Sequence, residues 1–221
     1  MTKRKYTKQR RARQEADTRQ KILEATVALH GSTGPRNTTV SAIAQQAGVQ
    51  RLTVYRHFPD AEALFQACTT HWLECNPPPD PMSWQRIPDP GRRTQAALEG
   101  LYAYYRETTY MWARAYRDRD EVPALQAPLS AFEAWLDGIR DDLAQSWATS
   151  PEGPLTATLG HALRFSTWQS LTAEGLDDAQ SAAAIVAWVR GLSAPRSDAQ
   201  GKKEQEARAV PDGSESTITS S

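Results

Sequence analysis

Apolar and small residues recur along the chain at the three- and four-residue spacing that places them on one face of an α-helix. Ile22, Ala25, Thr26 and Leu29 are the first to follow this spacing. No stretch shows the apolar and polar alternation that is typical of a half-buried strand. The fold is therefore predicted to be all-α. The predicted helices span residues 18–30, 40–47, 50–58, 61–75, 91–109, 114–120, 129–148, 155–174 and 177–192.

A proline-rich segment divides the chain in two. Residues 76–91 contain six of the fourteen prolines, so they are expected to form a long, semi-rigid connection. After residue 194 the sequence has almost no apolar residues, which is typical of a disordered tail. The predicted organisation is a basic flexible arm (1–17), a first helical domain (18–75), the connection (76–91), a second helical domain (92–194) and the tail (195–221).

The charge is unevenly distributed, although the formal net charge of the chain is zero. Residues 1–60 carry 12 basic and 4 acidic side chains, a net charge of +8, so the remainder of the chain carries −8. This asymmetry indicates a polyanionic partner for the first domain only. Residues 1–21 hold nine of the basic side chains and few apolar ones, which favours a mobile basic arm.

The sequence also indicates where in the cell the protein is expected to be. The longest apolar run covers residues 182–189, far short of the ~20 residues that a membrane-spanning helix needs. The first residues are charged, so we expect neither a membrane span nor a secretory signal. Two cysteines are too few for a disulfide framework, and a cytoplasmic location is expected.

Two short predicted helices are joined by a turn at Gly48. A first helix packed across a second is the geometry that places the second in a DNA major groove. The order and spacing of residues 22–64 resemble the N-terminal domain of the TetR family of transcriptional regulators. The matching positions are 22–26, 34, 39–40, 43–44, 47–49, 64, and the run Thr-Val-Tyr-Arg-His-Phe-Pro at 53–59.

Two positions depart from the family pattern. Gln50 stands where the family usually has a small capping residue, and Ala61 stands where it usually has a lysine. The first departure weakens the local helix cap and is expected to shift the base preference. The second removes one expected phosphate contact. Neither departure changes the predicted fold.

The first turn of the second short helix contains the candidates for base recognition. Gln50, Arg51 and Thr53 lie where a recognition helix reaches base edges, and Arg51 could bind guanine while Gln50 could read adenine. Ser41 resembles a family position that sometimes reaches a base. The alternative is that Arg51 is an ordinary solvated charge.

Three further side chains are candidates for contacts to phosphate. Tyr55 and His57 lie at the far end of the second helix, and Thr39 lies at the start of the first. Each can donate a hydrogen bond to a phosphate oxygen. The alternative is that Tyr55 and His57 are half-buried spacers of a small helical core.

For the second domain, the family resemblance implies a homodimer built on the last two helices and a pocket between the middle helices for a small inducer. Trp168 and Trp188 lie on the last predicted helices, and both are costly to expose. The alternative is that both tryptophans fill the core of a monomer.

Aromatic residues are dense between positions 102 and 147, and they could line a pocket for a planar hydrophobic ligand. An ordinary hydrophobic core would explain most of these residues equally well. The candidate ligand-binding residues are Tyr102, Tyr105, Arg106, Trp112, Trp135, His161 and Arg164.

One cluster of metal-binding residue types gives an alternative function. Cys68, His71 and Cys75 would lie on one helix face and offer ligands for zinc or copper, or a thiol sensor. No fourth ligand is evident, and packing of these residues in the core is the simpler explanation.

Together these features predict a DNA-binding transcriptional regulator that is not an enzyme and needs no cofactor. Its expected partners are a double-stranded DNA operator, a small hydrophobic or aromatic inducer or co-repressor, and a second copy of the chain. The resemblance favours a repressor that the ligand releases from its operator. No sequence motif for hydrolysis, phosphoryl transfer or hydride transfer is present, so an enzyme with an unrecognised site is the least favoured alternative.

Overall fold

The computed structural model describes residues 3–147 and 153–193. Within these residues every regular element is helical, which confirms the predicted all-α fold, and no helix is long and apolar enough to span a membrane. The proposed tail lies outside the described residues. The helices are α1 (Lys3–Ser32), α2 (Val40–Gln46), α3 (Arg51–His57), α4 (Ala61–Cys75), α5 (Met82–Gln85), α6 (Pro90–Asp118), α7 (Gln126–Ser146), α8 (Pro154–Ala162), α9 (Phe165–Ala173) and α10 (Asp178–Ser193).

Helix α1 differs from the expected flexible arm over residues 1–17, because it begins at Lys3 and continues for 30 residues. No glycine or proline interrupts residues 3–30, and lysine, arginine, glutamine and alanine are good helix formers. The buried second half of α1 supplies the helix nucleus, so each residue added toward the N-terminus costs little. Residues 3–17 are thus helical, where the sequence predicted a flexible arm.

Helices α1 to α4 enclose the first of two hydrophobic clusters. Ile22 of α1, Ile43 of α2, Val54 of α3 and Leu64 of α4 all contribute buried side chains. Side chains cap α2 and α4: that of Thr39 accepts from the Ala42 amide at 3.1 Å, and that of Asp60 accepts from the Ala63 amide at 2.7 Å. Gly48 has a φ of 66°, which allows the tight turn between α2 and α3.

The proline-rich segment is packed, which corrects the expectation of a semi-rigid connection. It contains the short helix α5, and Trp84 of that helix is only 1 % exposed. Trp84 joins Leu98 and Leu101 of α6 in the second hydrophobic cluster. Tryptophan burial of this extent stabilises the segment enough to hold it on α6.

Helix α6 is a single 29-residue helix, where the sequence predicted an end near residue 109 and a separate polar helix at 114–120. Its buried stripe continues through Trp112 and Ala115, so nothing ends the helix at residue 109. Of the charged residues in the predicted helix at 114–120, Arg114 and Arg117 lie on the more exposed side of α6, whereas Asp118 is buried.

The predicted helix over residues 155–174 is broken into α8 and α9 at Leu163 and Arg164. Two tyrosine hydroxyls of α6 accompany the break: Tyr102 donates to the Ala162 carbonyl and Tyr105 donates to the Leu163 carbonyl, each at 2.8 Å. These bonds satisfy backbone groups that a helix end leaves unpaired. Because the partners are about 60 residues apart, the local pattern could not reveal the break.

A polar junction also connects the two domains near the C-terminal end of α6. The Asp118 carboxylate, 2 % exposed, accepts from the Arg36 amide at 3.1 Å and pairs with Arg117. These hydrogen bonds lower the pKa of Asp118 below its usual value. Gly34 lies against this carboxylate with a φ of 93°, so a larger side chain there would be both strained and crowded.

Trp84→Ala is expected to destabilise the protein by about 3–5 kcal/mol, because it removes a fully buried indole and leaves a cavity beside α6. Denaturant unfolding measures this change in the free energy of unfolding. Met82→Ala is the matched control, since Met82 is 58 % exposed on the same short helix, and it should change stability by less than about 0.5 kcal/mol. Equal effects of the two variants would contradict the packed segment.

Candidate nucleic-acid interface and ligand cavity

Helix α3 presents one exposed face beside the helix that precedes it. Val54 is the buried residue of α3, and Phe58 is buried at the C-terminal end of this helix. The side chains of Arg51, Tyr55 and two further residues are exposed on the opposite side. The face is cationic and has hydrogen-bond donors, so it can approach a polyanion.

The residues predicted to recognise bases differ in their exposure to solvent. Gln50 and Arg51 are exposed at the start of α3, and the Gln50 side chain makes no capping bond to this helix. Ser41 is exposed on α2. Thr53 is only half exposed and lies toward the side of α3.

The residues predicted to bind phosphate also differ in their exposure to solvent. Thr39 and Tyr55 are exposed. The Nε2 atom of His57 is closed to solvent and has no hydrogen-bond partner among the described residues. A phosphate contact from His57 would therefore have to use the other ring nitrogen.

Sequence reasoning missed Leu52 and Arg56, which are exposed on the same face of α3. The helical register would have found them, because Leu52 lies three and four positions before Tyr55 and Arg56, the spacing of one helix face. The exposed face of α3 therefore consists of Arg51, Leu52, Tyr55 and Arg56.

Helix α1 adds basic charge before this face. Residues 8–17 are exposed on every side of the helix. Residues 1–15 carry seven basic side chains and one acidic one. Such a helix attracts phosphate without choosing a base sequence.

A cavity of about 520 Å³ lies between α4 and helices α6 and α7. Its aromatic lining comes from Phe65 and Trp72 of α4, Trp112 of α6, and Phe132 and Trp135 of α7. The volume is in the range of small-molecule sites. An apolar ligand with flat faces fits this lining best.

Two titratable groups in the cavity wall are neutral near pH 7. Burial lowers the pKa of His30 to about 4, although Asp118 opposes this change. Burial raises the pKa of the Cys68 thiol to about 12. The Cys68 Sγ lies 3.7 Å from the His30 Nδ1. These two buried groups therefore add no charge to the wall, although the exposed Glu62 also lines the cavity.

The cavity brings together only two of the seven predicted ligand-binding residues, Trp112 and Trp135. Tyr102 and Tyr105 are fully buried, and their hydroxyls are used at the break between α8 and α9. Periodicity on α6 could identify these tyrosines as inward-facing but could not distinguish core from cavity.

The three polar candidates lie elsewhere. Arg106 pairs with Asp178 of α10, and Arg164 pairs with Asp137 at 2.8 Å beside a separate cavity of about 440 Å³. His161 is exposed on α8. The cavity residues of α4, among them Phe65 and Trp72, were not among the predicted ligand-binding residues.

The side chains of Cys68, His71 and Cys75 do not come together at one site. Cys68 is buried, Cys75 is exposed, and the His71 Nε2 lies 3.3 Å from the Gln20 side chain. Among the described residues no group of three His, Cys, Asp or Glu side chains is placed to hold a metal ion. The protonated state of Cys68 also disfavours a reactive thiol at this position.

Comparison with known proteins identifies the first domain. A family model described as "Bacterial regulatory proteins, tetR family" matches residues 22–68. The first domain is similar to this family over these residues, and we refer to it below as the tetR-family domain. The match confirms the resemblance that the sequence predicts and covers α2, α3 and the first half of α4. It points to a DNA-binding transcriptional regulator and not to an enzyme.

Solved structures share the TetR-like fold over most of the chain. A TetR-like transcriptional regulator from Rhodococcus sp. RHA1 has a TM-score of 0.59 at 18% identity, covering 80% of this chain and 97% of that one. A TetR-family protein from Syntrophomonas wolfei has a TM-score of 0.56 at 15% identity, covering 83% and 98%. No curated protein sequence matches the chain significantly.

Deleting residues 1–15 should weaken DNA binding and flatten the dependence of log K on log salt. The tetR-family domain keeps its core, but seven cations are lost, and each lost phosphate contact should reduce the slope by about 0.9. Fluorescence anisotropy on a random duplex between 50 and 300 mM salt measures the slope. Replacing Lys8, Arg10, Arg11 and Arg13 by glutamine should give most of the same change with the helix retained. An unchanged slope would show that the segment does not touch DNA.

The stability of the protein should fall as the pH drops from about 6.5 toward 4 because of His30. In this window the unfolded histidine takes up a proton and the buried one does not, so the unfolded state is favoured by up to about 3 kcal/mol. The measurement is the free energy of unfolding of the parent and of His30→Gln at pH 7.5, 6.0 and 4.5. The free energy of unfolding of the parent, relative to that of His30→Gln, should decrease as the pH falls. A constant difference would mean that His30 titrates normally.

Proposed function

We propose that this DNA-binding regulator is a ligand-responsive repressor that a small apolar molecule releases from its operator. The observation that carries the proposal is the 520 Å³ cavity, because Phe65 and Cys68 line it and also belong to the tetR-family domain. A ligand in this cavity would contact the DNA-binding domain directly. The signal would not need to travel along the backbone between the domains.

The proposed mechanism is a shift between two conformations. In one, the two α3 helices of a dimer enter successive major grooves, ~34–36 Å apart. In the other, a ligand between α4 and the second domain holds α4 in a different position, so the α3 helices no longer match both half-sites. The ligand shifts the equilibrium only by its difference in affinity for the two conformations.

The chemistry of the wall supports an uncharged, hydrophobic or aromatic ligand. Trp112 and Phe132 lie with ring centroids 4.2 Å apart, and Phe132 stacks with Trp135 at 5.3 Å, so this side of the cavity is a continuous aromatic surface. His30, neutral at pH 7, can supply a directional hydrogen bond. The same site would serve an inducer or a co-repressor.

A homodimer through the last two helices is part of the proposal. Trp188 and Leu192 of α10 are 53 % and 47 % exposed and lie one helical turn apart. An exposed tryptophan of this kind favours a partner surface. Trp168, which the sequence offered as a second interface residue, is buried and donates to Asp178 at 3.1 Å, so it supports the core instead.

The metal or thiol sensor is the weaker alternative. Cys68, His71 and Cys75 point to different environments, so no shared ligand site favours it. Metal content measured by mass spectrometry and the response of a Cys68→Ser variant would distinguish this alternative.

Trp72→Ala should uncouple ligand binding from DNA release. Trp72 packs edge-on against Trp112 with ring centroids 5.8 Å apart and donates to the Tyr110 hydroxyl at 3.2 Å, so it connects α4 to α6. Operators are first selected from random DNA, and ligands are found by thermal-shift screening. At saturating ligand, the operator affinity of the parent should fall at least about tenfold, and that of the variant by less than about twofold.

Trp135→Ala is the matched control, because Trp135 lines the cavity from α7 and does not belong to α4. This variant should need more ligand but should still release DNA fully once saturated. Circular dichroism checks that both variants remain folded. A Trp72→Ala protein that still releases DNA like the parent would contradict the proposed coupling.

A further inference from the structure

The proposed roles leave one prominent side chain of α3 unused. Leu52 is 77 % exposed, more than any other large apolar side chain of the described residues. It belongs to neither hydrophobic cluster. A single exposed leucine is ordinary on a protein surface, but this one lies on the face of the helix that is placed to read DNA.

The register of α3 fixes the direction of Leu52. Val54, the buried residue of α3, lies two positions later, which is a rotation of about 200°. Leu52 therefore projects away from the core. Tyr55 and Arg56 follow at three and four residues, so Leu52 lies beside both of them on the exposed face.

The position within α3 is as informative as the direction. Leu52 is the second residue of the helix, and the first turn of a recognition helix approaches the base edges most closely. Arg51 precedes it and can reach a guanine or a phosphate, so charge and hydrogen bonding are available next to an apolar group.

The chemistry of the major groove leaves one partner for this side chain. Polar base edges would lose hydrogen bonds to water beneath a leucine, whereas the C5-methyl group of thymine is the apolar group that the groove exposes. We infer that Leu52 is a specificity-determining residue that packs on the methyl group of one thymine in each half-site. The inference rests on the proposed placement of α3 in the major groove.

Replacing thymine by deoxyuridine tests this contact, because it removes the methyl group and keeps every hydrogen-bonding atom. The duplex is an operator selected from random DNA by the intact protein, and each thymine is replaced in turn. One position in each half-site should weaken binding by about fourfold, the value of one buried methyl group. Leu52→Ala should bind the thymine and deoxyuridine forms equally, while Leu52→Met, of similar volume, should keep part of the preference.

Met82→Ala is the control, since Met82 is also exposed but lies on α5, and it should show the full thymine preference. A sequence-specific operator without any thymine sensitivity would overturn the role of Leu52 alone. Equal sensitivity in the parent and in Leu52→Ala would do the same. If random DNA yields no enriched sequence at all, the proposed operator binding itself fails, and the inference fails with it.

Discussion

Helix α4 packs into both hydrophobic clusters of the protein, and the relation between the two domains depends on this shared packing. Leu64 and Cys68 lie in the cluster that α1 to α3 complete, while Trp72, one turn further, lies in the cluster of α6 and α7. Close-packed interiors respond to a displaced helix by rearranging as units. We propose that a change in the cavity beside Phe65 and Trp72 would reach α3 through the cluster that Leu64 and Cys68 share with Val54.

The polar junction at Asp118 complements the packing of α4. It joins the turn after α1 to the end of α6, because the Arg36 amide donates to Asp118 and the Arg117 guanidinium donates to the Thr33 carbonyl. An apolar contact at α4, the packing of α1 on α6 and the hydrogen bonds near Asp118 hold the tetR-family domain on the second domain.

Local patterns predicted the parts of the structure that local interactions decide. The turn at Gly48 and the bounds of α4 follow from neighbouring residues, and so does the family resemblance. Features that depend on distant partners were missed: the break between α8 and α9 depends on Tyr102 and Tyr105, and the packed proline segment depends on Trp84. Only two of the seven predicted ligand-binding residues line the cavity, because one of its walls comes from the DNA-binding domain.

The central claim is that a ligand in the cavity moves α4 and thereby repositions the two recognition helices. Spin labels at Gln46→Cys, exposed on α2, in a Cys75→Ser background would report the distance between the two DNA-binding domains of a dimer by double electron–electron resonance. Cys68 is buried with a raised pKa, so it should resist labelling. The account predicts that saturating ligand shifts the distance by several ångströms from its value on operator DNA. The same distance distribution with ligand as on DNA, under conditions where DNA is released, would contradict it.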